Sequence, residues 1–460
     1  MSGLYDAMPL FVQNLACTWA GWRRARSRFT PYFYRTLEAW EQTGHGPLPA
    51  LLALQRKRLD RLIERARAQV PAYGQLPPPS DACDPAEAIA GTLGTIAPLE
   101  KAAYRERSDE FVARDIPPSR LRRGKTSGTT GSALPLWYTA ETLAEEYVTV
   151  WRLRRACGVG LHDPHFTFGG QSIVPFAQTE PPFWRANRAA GQTLFSLYHM
   201  TSDNLKSYIT AIHAIPARYV QGYPSALHLV ARAMLQEGRP MEPGRLTAVF
   251  TSSESLLAFQ REAIEQAFAC PVFDRYGTSE FAVSMTACPL QRLHVDMEFC
   301  IVEVEAQEET EQYVRGPLLV TGLGNDATPF LRYRIGDVGT KSKHPCECGR
   351  PGDVFLDVDG RIEDYVMTPD RRLIGRLDHI FKTQLAVGEA QILQETEAAI
   401  TVLVVPHKAW DTASERSLLK EIQARLGNKI RVEIRIVSEI PREPNGKFRA
   451  VKSQVGRIVC

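Results

Sequence analysis

Between Lys125 and Ser132 the chain reads Lys-Thr-Ser-Gly-Thr-Thr-Gly-Ser, a run of hydroxyls and glycines poorly suited to a packed helix or a buried strand. The run predicts a loop. Gly128 and Gly131 reach backbone angles that other residues avoid, while Ser127, Thr129 and Thr130 supply hydroxyls, so main-chain N–H groups and side chains can converge on a polyphosphate. A Walker-type loop is excluded, because the glycine required five positions before Gly124 is Ser119. Taken by itself, the run also fits an ordinary polar turn.

At 460 residues the chain exceeds one compact core, so two or more domains are expected. Up to residue 95 it reads as a helical lead-in: Leu59, Leu62, Ile63, Ala66 and Val70 recur at helical spacing and Pro71 ends the helix, with 74–95 an irregular connection. Leu143, Tyr147, Val150 and Trp151 form a second helical stripe closed by Gly158. Leu246 to Ser252 and Pro317 to Thr321 are short apolar runs bounded by breakers, as in buried strands, and Leu256 to Phe268 between them reads as a helix. That alternation predicts an α/β large domain over 1–360. Beyond it, a strand at Ile400 to Val405, a helix through Leu418, Ile422 and Leu426 capped by Gly427, and a strand at Val432 to Val437 predict a small α+β domain over 361–460.

A net charge of +3 gives no reason to expect nucleic acid as a partner, and no apolar stretch is long enough to span a bilayer. Met8 to Trp22 comes nearest, but Gln13 and Asn14 interrupt it and no basic residue precedes it, so a signal peptide is not expected. The cluster Arg23-Arg-Ala-Arg-Ser-Arg28 reads as a solvated face, with contact to an acidic surface as the rival reading.

Nine scattered cysteines point to reduced thiols and a cytoplasmic location. Cys346 and Cys348 share a Pro/Gly-bounded loop, and Cys288 precedes His294. Three thiolates and one imidazole make a closed tetrahedral set for structural Zn²⁺, although the Cys-x-Cys spacing is tighter than usual and free thiols are the alternative.

Further motifs follow the glycine loop in order: Thr251-Ser-Ser-Glu254, Tyr276-Gly-Thr-Ser-Glu280, Tyr333-Arg-Ile-Gly-Asp337, Gly360-Arg-Ile-Glu-Asp364 and Pro444-Asn-Gly-Lys-Phe-Arg449. The series resembles the signatures of adenylate-forming enzymes. Gly222-Tyr-Pro-Ser-Ala226, Cys346-Glu-Cys-Gly-Arg350 and Val70-Pro-Ala-Tyr73 are similar to the phenylacetate–CoA ligase family, especially its branch found with capsular polysaccharide genes. The likeness spans roughly residues 50 to 455, and zinc occupies such Cys/His loops in some relatives.

The resemblance implies a carboxylic acid, ATP and Mg²⁺ as reactants, an acyl-adenylate as intermediate, and coenzyme A as acceptor. It places Ser127 to Gly131 on the β- and γ-phosphates, and Glu280 on Mg²⁺. Adenine falls between Ser253-Glu254 and Arg275-Tyr276-Gly277, with Thr278 and Ser279 beside the nucleotide. Asp337 takes the ribose hydroxyls and Arg361 the ribose or phosphate. Lys447 bridges carboxylate, α-phosphate and ribose during adenylation, and Gly170, Tyr198, Tyr223 and Pro224 line the acid pocket. A mobile small domain is implied, with a hinge near Gly360 to Asp364. The chain departs from the pattern in carrying Ile335 for the frequent Thr, in lacking a Lys after Gly131, and in placing Glu363 at the pivot. An amine, hydroxyl or carrier-protein acceptor is the neighbouring alternative, a non-catalytic nucleotide-binding protein the distant one, and a homodimer is left open.

Overall fold

The computed structural model describes residues 5–44, 46–126, 134–201, 203–359, 366–370, 373–374, 377, 380–381, 386–406, 410–441 and 450–455. The glycine loop core Ser127 to Gly131, Arg361, Glu363 and Lys447 therefore lie outside the described residues.

Strands of the first 360 residues are β1 (Arg122–Lys125), β2 (Pro135–Tyr138), β3 (His165–Gly169), β4 (Trp184–Asn187), β5 (Gln192–Ser196), β6 (Tyr219–Gly222), β7 (Ala248–Ser252), β8 (Val272–Gly277), β9 (Ser284–Ala287), β10 (Leu293–Val295), β11 (Cys300–Val304), β12 (Glu308–Glu309), β13 (Tyr313–Gly322), β14 (Tyr333–Ser342) and β15 (Val354–Asp359). All but β1 and β2 join one sheet in the order β11-β13-β14-β15-β10-β9-β8-β7-β6-β3-β5-β4, with β12 on β13. Strands β5, β3, β6, β7 and β8 are mutually parallel. From β9 onward the pairing is antiparallel.

Parallel strands are buried on both faces, and β7 shows how one sequence serves two cores. Ala248 and Phe250 point into the cluster built on the helix Leu48–Gln69, whereas Val249 points into the cluster beneath the crossover helices Leu205–Ala214, Pro224–Gln236 and Ala258–Phe268. This is the period-two alternation of a strand. The predicted strands and helices are present, with Ala258 rather than Leu256 opening its helix. One expectation is corrected. Within 74–95, residues Pro85–Gly94 form a helix, because Asp84 accepts from the Ala86 and Glu87 N–H groups and Pro85 is preset for the first turn.

In the C-terminal region, β16 (Val366–Met367) pairs with β17 (Leu373–Ile374). There, β18 (Val387–Thr396), β19 (Ala399–Pro406), β20 (Arg431–Ile436) and β21 (Val451–Ser453) make a sheet in the order β20-β19-β18-β21. The helix Thr412–Leu426 starts on Asp411, whose carboxylate accepts from Ser414 N–H, and buries Leu418, Ile422 and Leu426 in a separate third core.

Candidate functional site

Because β3, β5, β6, β7 and β8 run parallel, the chain leaves all five at one edge of the sheet. Gly170, Tyr198, Tyr223-Pro224, Ser253-Glu254 and Thr278 to Glu280 all follow those carboxyl ends. Crevices outside the carboxyl ends of parallel strands are where open α/β sheets bind ligands. The topology therefore gathers segments that are more than a hundred residues apart in sequence.

Among the residues expected to line an acid pocket, Tyr198 Oη donates to the Gly170 carbonyl at 2.9 Å, and Tyr223 N–H donates to the Phe168 carbonyl at 3.1 Å. The second bond requires close strand approach. A Cβ at Gly222 would lie 2.7 Å from both Phe168 Cβ and its carbonyl oxygen, so no side chain fits there. Phe176 packs edge-on against Tyr198, and the Arg425 guanidinium, from the C-terminal helix, lies 4.8 Å from the same ring. His199 turns inward instead, bonded to Ser196 Oγ at 2.8 Å and to the Pro175 carbonyl at 3.1 Å.

Among the residues expected beside a nucleotide, Ser253 takes φ 73°, an uncommon conformation for a non-glycine residue. The turn carries Glu254 to the start of the helix Pro224–Gln236, where its Oε2 accepts from Ser225 N–H at 3.0 Å. A carboxylate there satisfies an otherwise unpaired helix N–H and complements the helix dipole. Arg275 reaches the helix Ala140–Ala156, bonding Thr149 Oγ1 at 3.3 Å and facing Glu146 at 3.6 Å. Its neighbour does the joining. Tyr276 Oη donates to Asp337 Oδ2 at 2.6 Å, linking the last residues of β8 to β14.

Two buried groups suit a charged ligand. Glu280 is 6% exposed, and among the described residues no cation pairs with it. Burying a lone carboxylate is costly, so its position fits a bound cation such as Mg²⁺. Among the described residues the buried Thr278 hydroxyl likewise has no hydrogen-bond partner. The glycine loop joins β1 to β2, which pair antiparallel, and its described ends are fastened: Thr126 N–H donates to the Leu134 carbonyl at 3.0 Å, and Leu134 N–H to Thr126 Oγ1 at 2.9 Å. Tyr104 Oη braces the same hairpin at the Pro135 carbonyl, 2.7 Å away, and the Glu280 charge acts on that tyrosine.

A second cluster lies around the ends of β9, β10 and the loop between β14 and β15. The donor atoms of Cys288, His294, Cys346 and Cys348 all lie within 4.8 Å of one another. Cys288 Sγ is 3.8 Å from Cys346 Sγ, and Cys348 Sγ is 3.3 Å from His294 Nε2. A disulfide needs about 2.05 Å, whereas a tetrahedron with metal–sulfur arms of about 2.3 Å has edges of about 3.8 Å. The spacing and soft donor set fit zinc.

The sequence did not reveal what stands behind this cluster. Arg350, two residues past Cys348, reaches Thr286 Oγ1 and Asp296 Oδ1, each at 2.8 Å. Arg152 binds the same Asp296 at 2.5 Å and Glu298 at 2.6 Å, all deep in the core. Burial alone would raise the Asp296 pKa, but Arg152, Arg350 and the Ser284 hydroxyl hold it below the ordinary value. At the site's edge, burial pushes Asp274 up to about 6, although it accepts from Thr251 Oγ1 at 2.5 Å.

The comparisons agree with this architecture. Residues 366–454 match the CapK C-terminal domain. Protein CapK of Staphylococcus aureus is 24% identical over 451 residues, covering 97% of this chain and 98% of that protein. Phenylacetate-coenzyme A ligase of Thermus thermophilus is 24% identical over 440 residues, 90% of each chain. Among solved structures, 2-hydroxyisobutyryl-CoA ligase in complex with 2-HIB-AMP and CoA in the thioesterification state has a TM-score of 0.59 at 16% identity, covering 89% of this chain and 91% of that one. The same ligase in its postadenylation state gives 0.51 at 17% identity, with 87% and 89% covered. The fold is that of the adenylate-forming ligases. Within that fold the chain is similar over nearly its whole length to Protein CapK and to a phenylacetate-coenzyme A ligase, and residues 366–454 match the CapK C-terminal domain.

Proposed function

We propose that this protein joins a carboxylic acid to ATP, releases pyrophosphate, and passes the acyl group from the resulting acyl-adenylate to coenzyme A. The observation that carries the reading is the Tyr276–Asp337 bond, which unites two nucleotide motifs beside the buried Glu280 and Thr278.

In this reading the acid's carboxylate oxygen attacks the α-phosphorus and the bond to pyrophosphate breaks. Residues Ser127 to Gly131 hold the β- and γ-phosphates, and Glu280 would hold Mg²⁺, which when bound would neutralise charge on the phosphates. Asp337 accepts from the ribose hydroxyls, since a carboxylate has lone pairs beyond those used by Tyr276. Ser253, Tyr276, Gly277 and Ser279 frame the adenine and α-phosphate, with Arg361 on the ribose. The side chains of Glu254 and Arg275 fix the backbone of this frame from a helix end and from the helix Ala140–Ala156. Lys447 stabilises the charge that builds as the new P–O bond forms. The thiol of coenzyme A then attacks the acyl carbonyl, loses its proton, and AMP leaves. Gly170, Tyr198, Tyr223 and Pro224 hold the acid. Cys288, His294, Cys346 and Cys348 hold zinc with every ligand position filled, so its part is to staple loops.

The proposed division is a large unit over 1–360 and a small one over 361–460 that alternates about Gly360 to Asp364. Arg425 of the small unit resting on Tyr198 supports a contact between the small unit and the proposed acid-binding residues. A cytoplasmic location is part of the same proposal. Pyrophosphate exchange across a panel of acids tests the first step, and absence of exchange with every acid, where ATP binds, refutes it. Mass identification of the product with coenzyme A against amines tests the second, and an amide would refute the thioester.

A further inference from the structure

The helix Leu10–Arg28 is turned inside out. Its polar residues face the protein: Gln13 accepts from Arg185 Nε at 2.6 Å, Asn14 Oδ1 accepts from Ala186 N–H at 2.8 Å, and Thr18 Oγ1 accepts from Arg188 N–H at 3.2 Å. The Ala186 bond caps β4, the edge strand, and the other two fasten the Arg185 side chain and the turn that follows the strand. Gly21 completes the fit, since a Cβ there would lie 2.1 Å from Asn187 Oδ1. The helix is therefore fixed in rotation, and its apolar residues point outward.

Phe11, Leu15, Trp19 and Trp22 follow one another at helical spacing and are 66%, 62%, 60% and 47% exposed. At 100° per residue they fall within one arc of about 80°. The arc continues into Arg26, with Arg23, Arg24 and Arg28 in the same turns, and the helix carries no acidic residue. Arg23 lies over Trp19 at 4.8 Å and Arg26 over Trp22 at 5.0 Å, so cations rim the aromatic stripe.

We infer that this helix docks the protein on an anionic membrane surface, lying in the interface with the stripe among the acyl chains and the arginines on lipid headgroups. Outward aromatic residues flanked by arginine are the composition of interfacial helices. Charge selects the occupant. A second copy presenting this helix offers no carboxylate from Leu10 to Arg28 to meet Arg23 and Arg26, whereas anionic headgroups do. The helix contacts the rim of the proposed acid pocket, because Arg24 Nη1 lies 3.5 Å from Gln171 Oε1, next to Gly170.

The test is co-sedimentation of the full chain with vesicles of phosphatidylcholine alone and of phosphatidylcholine with about 30% phosphatidylglycerol. Binding is expected to the anionic vesicles, weakening in high salt. Phe11→Ser/Trp19→Ser, which keeps every charge, should weaken binding more than about tenfold, and Arg23→Gln and Arg26→Gln about fivefold each, with thermal unfolding unchanged. The inference is overturned by failure to bind anionic vesicles, by equal binding of the stripe variant, or by a dimer in sedimentation that the stripe variant dissolves.

Discussion

Replacing Arg152 by Met removes the cation at the centre of the large sheet while filling the space of its stem. Asp296 would retain Arg350 at 2.8 Å and the Ser284 hydroxyl at 2.7 Å. Glu298 would retain the Thr43 hydroxyl at 2.7 Å and, at 1% exposed, would be a buried charge without a cation. Breaking a buried pair by removing one partner costs about 3–5 kcal/mol, mostly from the charge left behind. We expect that loss at pH 7, read from urea unfolding of the large unit by tryptophan fluorescence. The pH dependence follows from Asp296. Its folded pKa is depressed, so its contribution is present above the unfolded value near 3.9 and is lost as pH falls through the folded value. In the variant that depression is weaker, so the difference from the native chain should hold level from neutrality down to about pH 4 and shrink below it. Adding Glu298→Gln should recover at least about 1 kcal/mol by removing the orphaned charge. A loss below about 1 kcal/mol, or a loss independent of pH, refutes the reasoning.

Purified protein should carry about one zinc per chain, and Cys348→Ser should lower both zinc content and melting temperature; a folded sample without zinc removes the proposed staple. Lys447→Ala should abolish pyrophosphate exchange while sparing transfer from supplied acyl-adenylate, and equal loss of both contradicts its role. Tyr276→Phe deletes a hydrogen bond to a charged group, so KM for ATP should rise about tenfold with little change in kcat; an unchanged KM counts against the ribose assignment. Asp274 has a folded pKa raised to about 6, so the folded chain binds more protons than the unfolded one between about pH 4 and pH 6. Its burial therefore costs stability as pH rises through that window. Asp274→Asn should flatten the trend relative to the native chain, and superimposable urea-unfolding profiles contradict it.

What the sequence disclosed was local chemistry. The segments at Tyr276 and Asp337, which the fold joins by a hydrogen bond, were legible as short motifs, and the four Cys/His donors, which it gathers, because thiols are rare. The helix Pro85–Gly94 was missed by reading composition instead of the Asp84-Pro85 start. Gln13 and Asn14 were read as interruptions in an apolar run, when they are the buried side of an inverted helix. Glu254 was expected beside a nucleotide, yet its carboxylate accepts from Ser225, 29 residues earlier, in the first turn of a helix. No window of sequence contains the Arg152–Asp296 pair, separated by 144 positions, so only the folded chain could reveal it.

Arg350 belongs to two structures at once, one arm's length from a thiol ligand and in contact with the most deeply set carboxylate of the sheet. The cysteine loop is thus also a charge carrier. A descendant of this chain that abandoned its thiols would lose the anchor of a guanidinium as well, and would have to redesign the interior around Asp296.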